Sequence, residues 1–171
     1  MRRVILFIAT SLDGYIARTS GEVDWLFTDQ DYGYTPFFAQ VDTVLMGRRT
    51  YEQVQSWGEY PYGETQGFVF SRMLRDQSHP QVKIISEDVT RFVKGLKDLP
   101  GKNIWLVGGA ELVHSCLQSD LIDELIISVH PILLGEGIPL FRPPFSIKNL
   151  SFQHCEAFDT GLLQLTYFIG K

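Results

Sequence analysis

The sequence predicts one domain of the α/β class, built on a mixed central sheet with helices on its faces. Short apolar runs alternate with helical patterns through the first two thirds of the chain. After Asp120 the pattern changes to long β-type segments, and the turn sequence Asp159-Thr160-Gly161 joins the last two. The 171 residues are enough to bury a core, and no repeat or linker divides them, so residues 1–171 are expected to form one domain.

The strands are predicted from runs of apolar and β-branched residues. Val4 to Ala9 is apolar throughout, which is typical of a strand buried on both faces near the centre of a sheet. Similar but shorter runs predict four more strands, at Thr43 to Met46, Gly67 to Phe70, Val82 to Ile85 and Ile104 to Val107. The C-terminal β-type segments are Glu124 to Leu134, Leu150 to Phe158 and Leu162 to Ile169. We expect the last two to form an antiparallel hairpin.

The helices are predicted between these strands. Their segments are Thr35 to Gln40, Tyr51 to Trp57, Val89 to Leu99 and Ala110 to Gln118. The stretch from Ser56 to Gln66 is the most loop-like, and its glycines, proline and aromatic residues could border a pocket.

Composition and charge exclude several function classes. The net charge is −5 with a pI near 5.3, so nothing draws the whole chain towards nucleic acid or an anionic membrane. No stretch approaches the roughly 20 apolar residues of a membrane span. The two cysteines lack motif spacing, which favours a reduced, cytoplasmic protein. No metal site is expected, because the histidines show no ligand spacing; they are His79, His114, His130 and His154.

Two strand-to-helix turns could bind phosphate. In the first, Gly47 ends a strand and Arg48, Arg49 and Thr50 lead into a helix, with Thr50 and Gln53 in a capping-box pattern. A helix N-terminus beside two guanidinium groups suits a diphosphate or a 2′-phosphate. The alternative is a solvated arginine pair after an ordinary turn.

The second turn, Gly108-Gly109, repeats this design before the helix at Ala110. Two glycines allow a ligand to approach the backbone closely, although they also allow tight packing of a helix on a strand. Neither turn is a Walker loop or the Gly-x-Gly-x-x-Gly fingerprint of a dinucleotide-binding βαβ unit.

Together, in this order, the two turns resemble the dihydrofolate reductase superfamily. Met46 to Glu52 is similar to its Gly-Arg-x-Thr-x-Glu turn, and Val107 to Leu112 to its Gly-Gly turn. The resemblance implies a three-layer α/β/α dihydrofolate-reductase-like fold and NADPH as cofactor. It implies that Ser71 and Arg72 bind the 2′-phosphate of the cofactor. It also implies that Trp25 closes a loop over the substrate pocket. The implied cofactor-binding residues are Ala9, Ile16, Gly47, Arg48, Arg49, Thr50, Ser71, Arg72, Val107, Gly108, Gly109, Ala110, Glu111 and Leu112.

Within the superfamily, the chain most resembles stand-alone relatives of the reductase domain of the bifunctional riboflavin-biosynthesis deaminase/reductase. Three segments carry this resemblance, at Ser11 to Ala17, Asp24-Trp25 and His130 to Phe141. The resemblance implies reduction of a C=N or C=O bond in a small pterin- or pyrimidine-like substrate, and a homodimer. The zinc motif of the deaminase half is missing. An Asp-Asp-Pro-type element is also missing, and Arg49 to Val54 stands there instead, which argues against a ribosyl-phosphate substrate.

Two carboxylates are candidates for the catalytic acid. Asp31 lies at the spacing from Gly47 at which dihydrofolate reductases place theirs, and Asp13 follows the first strand. A semi-buried carboxyl group with a raised pKa could supply the proton that accompanies hydride transfer. The alternatives are a solvated loop residue for Asp31 and a turn former for Asp13. Two other hypotheses stay open, a protein that binds NADPH without turnover and a domain whose glycine turns serve packing only.

Overall fold

An eight-stranded mixed sheet organises the computed structural model, which describes residues 1–74 and 79–170. The strand order is β5-β4-β3-β6-β1-β7-β10-β9, and the six strands from β5 to β7 are parallel. β10 runs antiparallel to β7 and pairs with β9 in the predicted hairpin. The bounds are β1 Val4–Ser11, β2 Tyr15–Ala17, β3 Val41–Gly47, β4 Gln66–Phe70, β5 Val82–Ile85, β6 Asn103–Gly108, β7 Glu124–His130, β8 Ile138–Pro139, β9 Leu150–Ala157 and β10 Leu163–Ile169.

Helices cover both faces of the sheet, which confirms the predicted three-layer fold. They are α1 Tyr34–Phe38, α2 Arg48–Ser56, α3 Val89–Asp98 and α4 Ala110–Gln118. α1 and α2 pack on the face that carries Ile5, while α3 and α4 pack on the face that carries Leu6. Successive side chains of β1 therefore enter opposite cores, as the apolar run of this central strand predicts.

Two local predictions need correction, and one pairing was missed. The strand from Glu124 ends at His130 and does not reach Leu134, because Pro131 has no backbone donor and the chain turns there. α2 begins at Arg48 with Gly47 as its N-cap, so Thr50 lies inside the first turn and the capping box is wrong. The pairing of β2 with β8 was not predicted.

The loop after α2 borders a cavity of about 220 Å³ that is lined in part by Gly58 and Tyr60, as its composition predicted. A second cavity of about 220 Å³ lies beside α1, over β1, β7 and β10. In the two described ranges, no helix is long and apolar enough to cross a membrane. No group of three or more potential metal ligands occurs in those ranges either.

Candidate cofactor and substrate site

The predicted phosphate-binding turns lie side by side at the carboxyl edge of the parallel strands. β3 pairs with β6 so that Met46 faces Gly108, and β3 pairs with β4 so that Gly47 faces Phe70. The turns that follow β3, β4 and β6 are therefore neighbours, although they are far apart in the sequence. Open parallel sheets bind their ligands at this edge.

The two glycine turns touch each other. A Cβ atom added to Gly47 would lie 3.5 Å from the Gly109 nitrogen, and one added to Gly109 would lie 3.2 Å from Thr50 Oγ1. The peptide bond between Gly108 and Gly109 is cis. The absence of side chains at these glycines thus brings the start of α2 against the start of α4.

The N-termini of α2 and α4 lack side-chain caps. Their N-cap residues are Gly47 and Gly109, and no side chain accepts a hydrogen bond from either first turn as a cap. α3 differs, because its N-cap Asp88 accepts a 2.9 Å hydrogen bond from the Arg91 nitrogen. The first turn of a helix has backbone donors without partners in the helix, and these donors attract anions. Two such helix ends converge at this edge.

Three arginines surround the converging helix ends. Arg48 forms an ion pair with Glu52, one turn further along α2, at 2.8 Å. Arg49 is exposed, and Arg72 is exposed just after β4. The Ser71 side chain is engaged within its own turn, because its Oγ accepts hydrogen bonds from the backbone nitrogens of Met73 and Leu74. Its hydroxyl fixes the turn that presents Arg72.

The remaining predicted cofactor residues extend this edge towards β1. Ala9 lies near the carboxyl end of β1, opposite Ser128, and Ile16 lies in β2. The Ile8 Cδ1 atom lies 3.7 Å from the position that an added Cβ atom would take at Gly108. In α4, Ala110 and Leu112 are buried, whereas Glu111 is exposed and lies 3.5 Å from Arg142. Val107 is half-buried directly before the glycine pair.

Asp13 holds two loops together. One carboxylate oxygen accepts hydrogen bonds from Ser11 Oγ at 2.6 Å and from the Leu134 nitrogen at 3.1 Å. The other accepts from the Gly135 nitrogen at 2.8 Å. The Ser11 hydroxyl bond is the main reason that the pKa of Asp13 is below its usual value, and the two backbone bonds lower it further. Asp13 is thus ionised near neutral pH and joins the end of β1 to the loop after β7.

Asp31 accepts hydrogen bonds at the start of α1. Its carboxylate accepts from the Thr35 hydroxyl at 2.6 Å and from the Thr35 nitrogen at 3.0 and 3.1 Å. These bonds lower the pKa of Asp31, and the residue is exposed. The expectation of a semi-buried acid with a raised pKa is therefore wrong for both Asp13 and Asp31. Their contact with substrate stays a prediction.

A loop of residues 18–32, here called the 18–32 loop, lies between α2 and the carboxyl end of β7. Trp25 in this loop is buried and meets the ring of His130 edge-on, with centroids 5.2 Å apart. The Phe27 nitrogen donates a 3.2 Å hydrogen bond to His130 Nε2. Burial lowers the pKa of His130.

The aromatic residues of α1 belong to the core and do not face the candidate site. Tyr34 and Phe37 pack around Trp105 in the core beneath α1, and Trp57 is exposed at the end of α2. Aromatic residues of α1 cover the sheet because helices must bury an apolar face. Trp25 and Tyr32, by contrast, belong to the 18–32 loop.

Comparison with known families identifies this architecture. The sequence matches the family described as the RibD C-terminal domain over residues 2–164. The chain belongs to this family. Two Bacillus subtilis (strain 168) proteins are close to this RibD C-terminal domain. YwjB is 44% identical over 170 residues and matches 97% of both chains, and YyaP is 38% identical over 181 residues, matching 97% of this chain and 94% of its own.

Solved structures agree with the family assignment. A Shewanella sp. PV-4 protein ascribed to riboflavin biosynthesis superimposes with a TM-score of 0.87 at 32% identity, over 99% of each chain. A Thermotoga maritima deaminase/reductase has a TM-score of 0.76 at 15% identity, and the match covers 99% of this chain and 57% of that one. The second likeness concerns the fold alone. The family match indicates a reductase-like domain related to the riboflavin pathway and confirms the resemblance seen in the motifs.

Sequence reasoning missed two positions in this RibD C-terminal domain. From the sequence, His130 is only one of the histidines without ligand spacing, and no motif indicates that it binds Phe27, 103 residues earlier. Gln53 was noticed only for capping, yet its Nε2 donates to the Gly21 carbonyl in the 18–32 loop at 3.3 Å. The one available signal was the position of His130 at a strand end, directly before Pro131.

Proposed function

We propose that this chain is an NADPH-dependent reductase that transfers a hydride to a C=N or C=O bond of a small pterin- or pyrimidine-like substrate. The observation that carries the proposal is the convergence of two helix N-termini without side-chain caps at Gly47 and Gly109, with Arg48, Arg49 and Arg72 nearby. The family assignment supports a reductase.

The residues at this edge fit a dinucleotide. The first-turn nitrogens of α2 and α4 would bind the diphosphate, and the closely packed glycines would let it approach the backbone. Arg72 would bind the 2′-phosphate, since it follows β4, the strand next to β3, and forms no ion pair with another described residue. Ala9 and Ile16 would line the nicotinamide. NADPH would supply the hydride.

The chain's own residues would orient the substrate at an edge that stays open to water. Reduction of a C=N or C=O bond adds a hydride to carbon and a proton to the nitrogen or oxygen. Because the pKa values of Asp13 and Asp31 are both lowered, neither carboxyl group holds a proton near pH 7. We therefore propose that water at the open edge supplies the proton and that these carboxylates position loops.

Ligand binding tests the cofactor half of the proposal. We expect NADPH to raise the melting temperature more than NADH does, because a ligand that binds only the folded state stabilises it. Replacing Arg72 by Met should weaken NADPH binding about tenfold, or ~1.4 kcal/mol, and leave NADH binding unchanged. Lys94→Met, on the exposed side of α3, is the matched control. Equal affinities for NADPH and NADH in the wild type would contradict the role of Arg72.

A second candidate, an NADPH-binding protein without turnover, is favoured by one observation. Neither of the two candidate proton donors, Asp13 and Asp31, has a raised pKa. Steady-state NADPH oxidation against pterins, flavin precursors and simple carbonyl compounds separates the two. Oxidation that depends on substrate supports the reductase. Tight binding without oxidation supports the second candidate, and no thermal shift at millimolar NADPH supports a packing role for the glycine turns.

A further inference from the structure

The 18–32 loop is held at both of its sides. Gln53 of α2 donates to the Gly21 carbonyl at 3.3 Å, and the Phe27 nitrogen donates to His130 Nε2 at 3.2 Å. α2 starts at the glycine turn of β3, and His130 ends β7, so β6 and β1 lie between the two attachments in the sheet. The loop consequently spans the carboxyl ends of the strands that carry Gly108 and Ala9.

Two hydrogen bonds of the His130 ring, with Ser128 and with Phe27, fix its protonation state. The Ser128 carbonyl, 3.2 Å from Nδ1, can only accept a hydrogen bond, so Nδ1 carries a proton. The Phe27 nitrogen can only donate, so Nε2 must present its lone pair. Both contacts exist together only in the neutral ring. With 3% of its surface exposed, His130 is shielded from solvent, and Phe27 is the partner of Nε2.

The 18–32 loop contains two features that make it dependent on its attachments. The Trp25 indole nitrogen is buried without a hydrogen-bond partner among the described residues, which is unfavourable because the N–H has lost its bonds to water. Tyr32 has a φ of 49°, a conformation that non-glycine residues adopt rarely. Its carbonyl accepts a 2.9 Å bond from Gln164. A loop with such features keeps its shape only while its neighbours hold it.

The charged groups near His130 are already engaged with other partners. On the β1 side, Asp13 is bound by Ser11 and by the Leu134 and Gly135 nitrogens. In the loop, Asp24 pairs with Arg18, and Asp29 accepts from the Tyr32 hydroxyl. From β10, the neutral Gln164 binds Ser128. Burial, opposed by the carbonyls of Ser128 and Thr10, accounts for the lowered pKa of His130, without a charged partner.

We propose that His130 is a positioning residue that fastens the 18–32 loop over the substrate side of the site through the Phe27 nitrogen, and that its protonation releases the loop. A proton on Nε2 would place two donors against each other. The 18–32 loop would then detach from His130, and the substrate pocket would lose the wall that Trp25 and the rest of this loop provide. The part concerning substrate rests on the proposed reductase function, whereas the part concerning the loop does not.

The direction of the pH dependence follows from linkage. In the released loop the imidazole is solvated and has its ordinary pKa, near 6.5, while in the fastened loop its pKa is lower. The attachment is therefore at full strength above pH 6.5 and weakens as the pH falls below it. We expect the loop to be released in mildly acidic solution.

Two substitutions of similar size separate attachment from titration. His130→Gln can place its amide oxygen near the Nε2 position and accept from Phe27, but it does not titrate. His130→Asn can keep a donor near Nδ1 for the Ser128 carbonyl, but it does not reach Phe27. His154→Gln removes an exposed histidine of β9 and serves as the control.

Amide exchange of Phe27, measured by NMR without cofactor or substrate and corrected for the intrinsic rate, tests the attachment. Between pH 7.5 and 5.5 we expect a severalfold rise, up to about tenfold, in the wild type and in His154→Gln, because the released imidazole has a pKa near 6.5. His130→Gln should stay protected at both pH values, and His130→Asn should exchange fast at both. A wild-type rate that does not change with pH, or a rise that persists in His130→Gln, would overturn the proposal.

Turnover tests the consequence for the reaction separately. With a substrate found in the oxidation panel, we expect the wild-type kcat/KM for substrate to fall below pH 6.5 while the NADPH affinity stays constant. His130→Gln should lose this acidic fall, and His130→Asn should have a raised KM throughout. If exchange behaves as expected but no substrate is turned over, the loop attachment stands and the reductase function fails. If kcat/KM falls equally in His130→Gln, the positioning role fails.

Discussion

At the scale of single residues, the glycine pair allows two explanations that one experiment can separate. Gly109 packs against Thr50, and the same absence of a side chain would let a phosphate reach the backbone. Gly109→Ala should weaken NADPH binding at least tenfold, or ~1.4 kcal/mol, and should also lower the melting temperature. A φ of −82° at Gly109 suits alanine, so the effect would come from the added methyl group.

The double variant Gly109→Ala/Thr50→Ala decides between the explanations. Removing Thr50 Oγ1 relieves the 3.2 Å contact and should restore stability. If the glycine serves ligand approach, NADPH binding stays weak in the double variant relative to Thr50→Ala alone. Restored binding would instead show that the glycine serves packing. Isothermal titration and thermal melts measure both quantities.

Asp13 gives a second prediction at this scale. The carboxylate of Asp13 accepts from three donors, the Ser11 hydroxyl and the Leu134 and Gly135 nitrogens. Asp13→Asn replaces one of its oxygens by an NH₂ group, which cannot accept. The Leu134 and Gly135 amides should therefore exchange about tenfold faster. Because the pKa of Asp13 is lowered in the folded protein, the ionised clamp acts above pH 3.8 and is lost as the pH falls through the lower, folded value. Should Asp13 donate the proton instead, turnover would fall by 10²-fold or more, while exchange stayed unchanged.

Residue types were predictable from the sequence, but their partners were not. The motifs around Gly47 and Gly108 identified one edge of the sheet, because a strand followed by glycine and a helix is a local signal. The role of Asp13 depends on Leu134, 121 residues later, and that of His130 on Phe27. Hydrogen bonds over such distances leave no periodicity in the sequence.

At the scale of elements, the long periodic segments were predicted well. The bounds of β5 and α4 agree with the prediction, because each is a clear apolar or amphipathic run between breakers. β2 and β8 were missed because they have only three and two residues, and each is a strand only because it pairs with the other. Their pairing brings Gly137 so near the Ala17 carbonyl that a Cβ atom would collide with it.

The contrast between helix N-termini gives a prediction about elements. α3 has an Asp88 cap and should need it, because its cap serves stability and not a ligand. Asp88→Ala should reduce the free energy of unfolding by about 1 kcal/mol, measured by urea denaturation. NADPH affinity should not change, and Glu87→Ala is the neighbouring control. A loss of NADPH binding in Asp88→Ala would mean that α3 also belongs to the cofactor site.

At the scale of the whole molecule, the two edges of the sheet are protected differently. β5 is four residues long and carries Lys83 at its middle, which discourages pairing with another strand. β9 has eight residues, all exposed, and its only acidic or basic side chain apart from His154 is Glu156 near the end. Phe152 is 60% exposed and Leu150 46%. A long edge strand with exposed apolar side chains needs a partner or risks aggregation.

We propose that a second copy of the chain covers β9, because a strand paired with its own copy about a two-fold axis forms a closed, self-complementary interface. Sedimentation should give a dimer for the wild type. Phe152→Glu should shift it towards monomer, since two carboxylates would then face each other in an apolar contact. Trp57→Glu replaces an equally exposed aromatic residue at the end of α2 and should remain dimeric. A wild-type monomer at micromolar concentration would exclude this interface. A dimer that Phe152→Glu leaves intact would place the contact on another surface, and the β9 edge would then lack its expected partner.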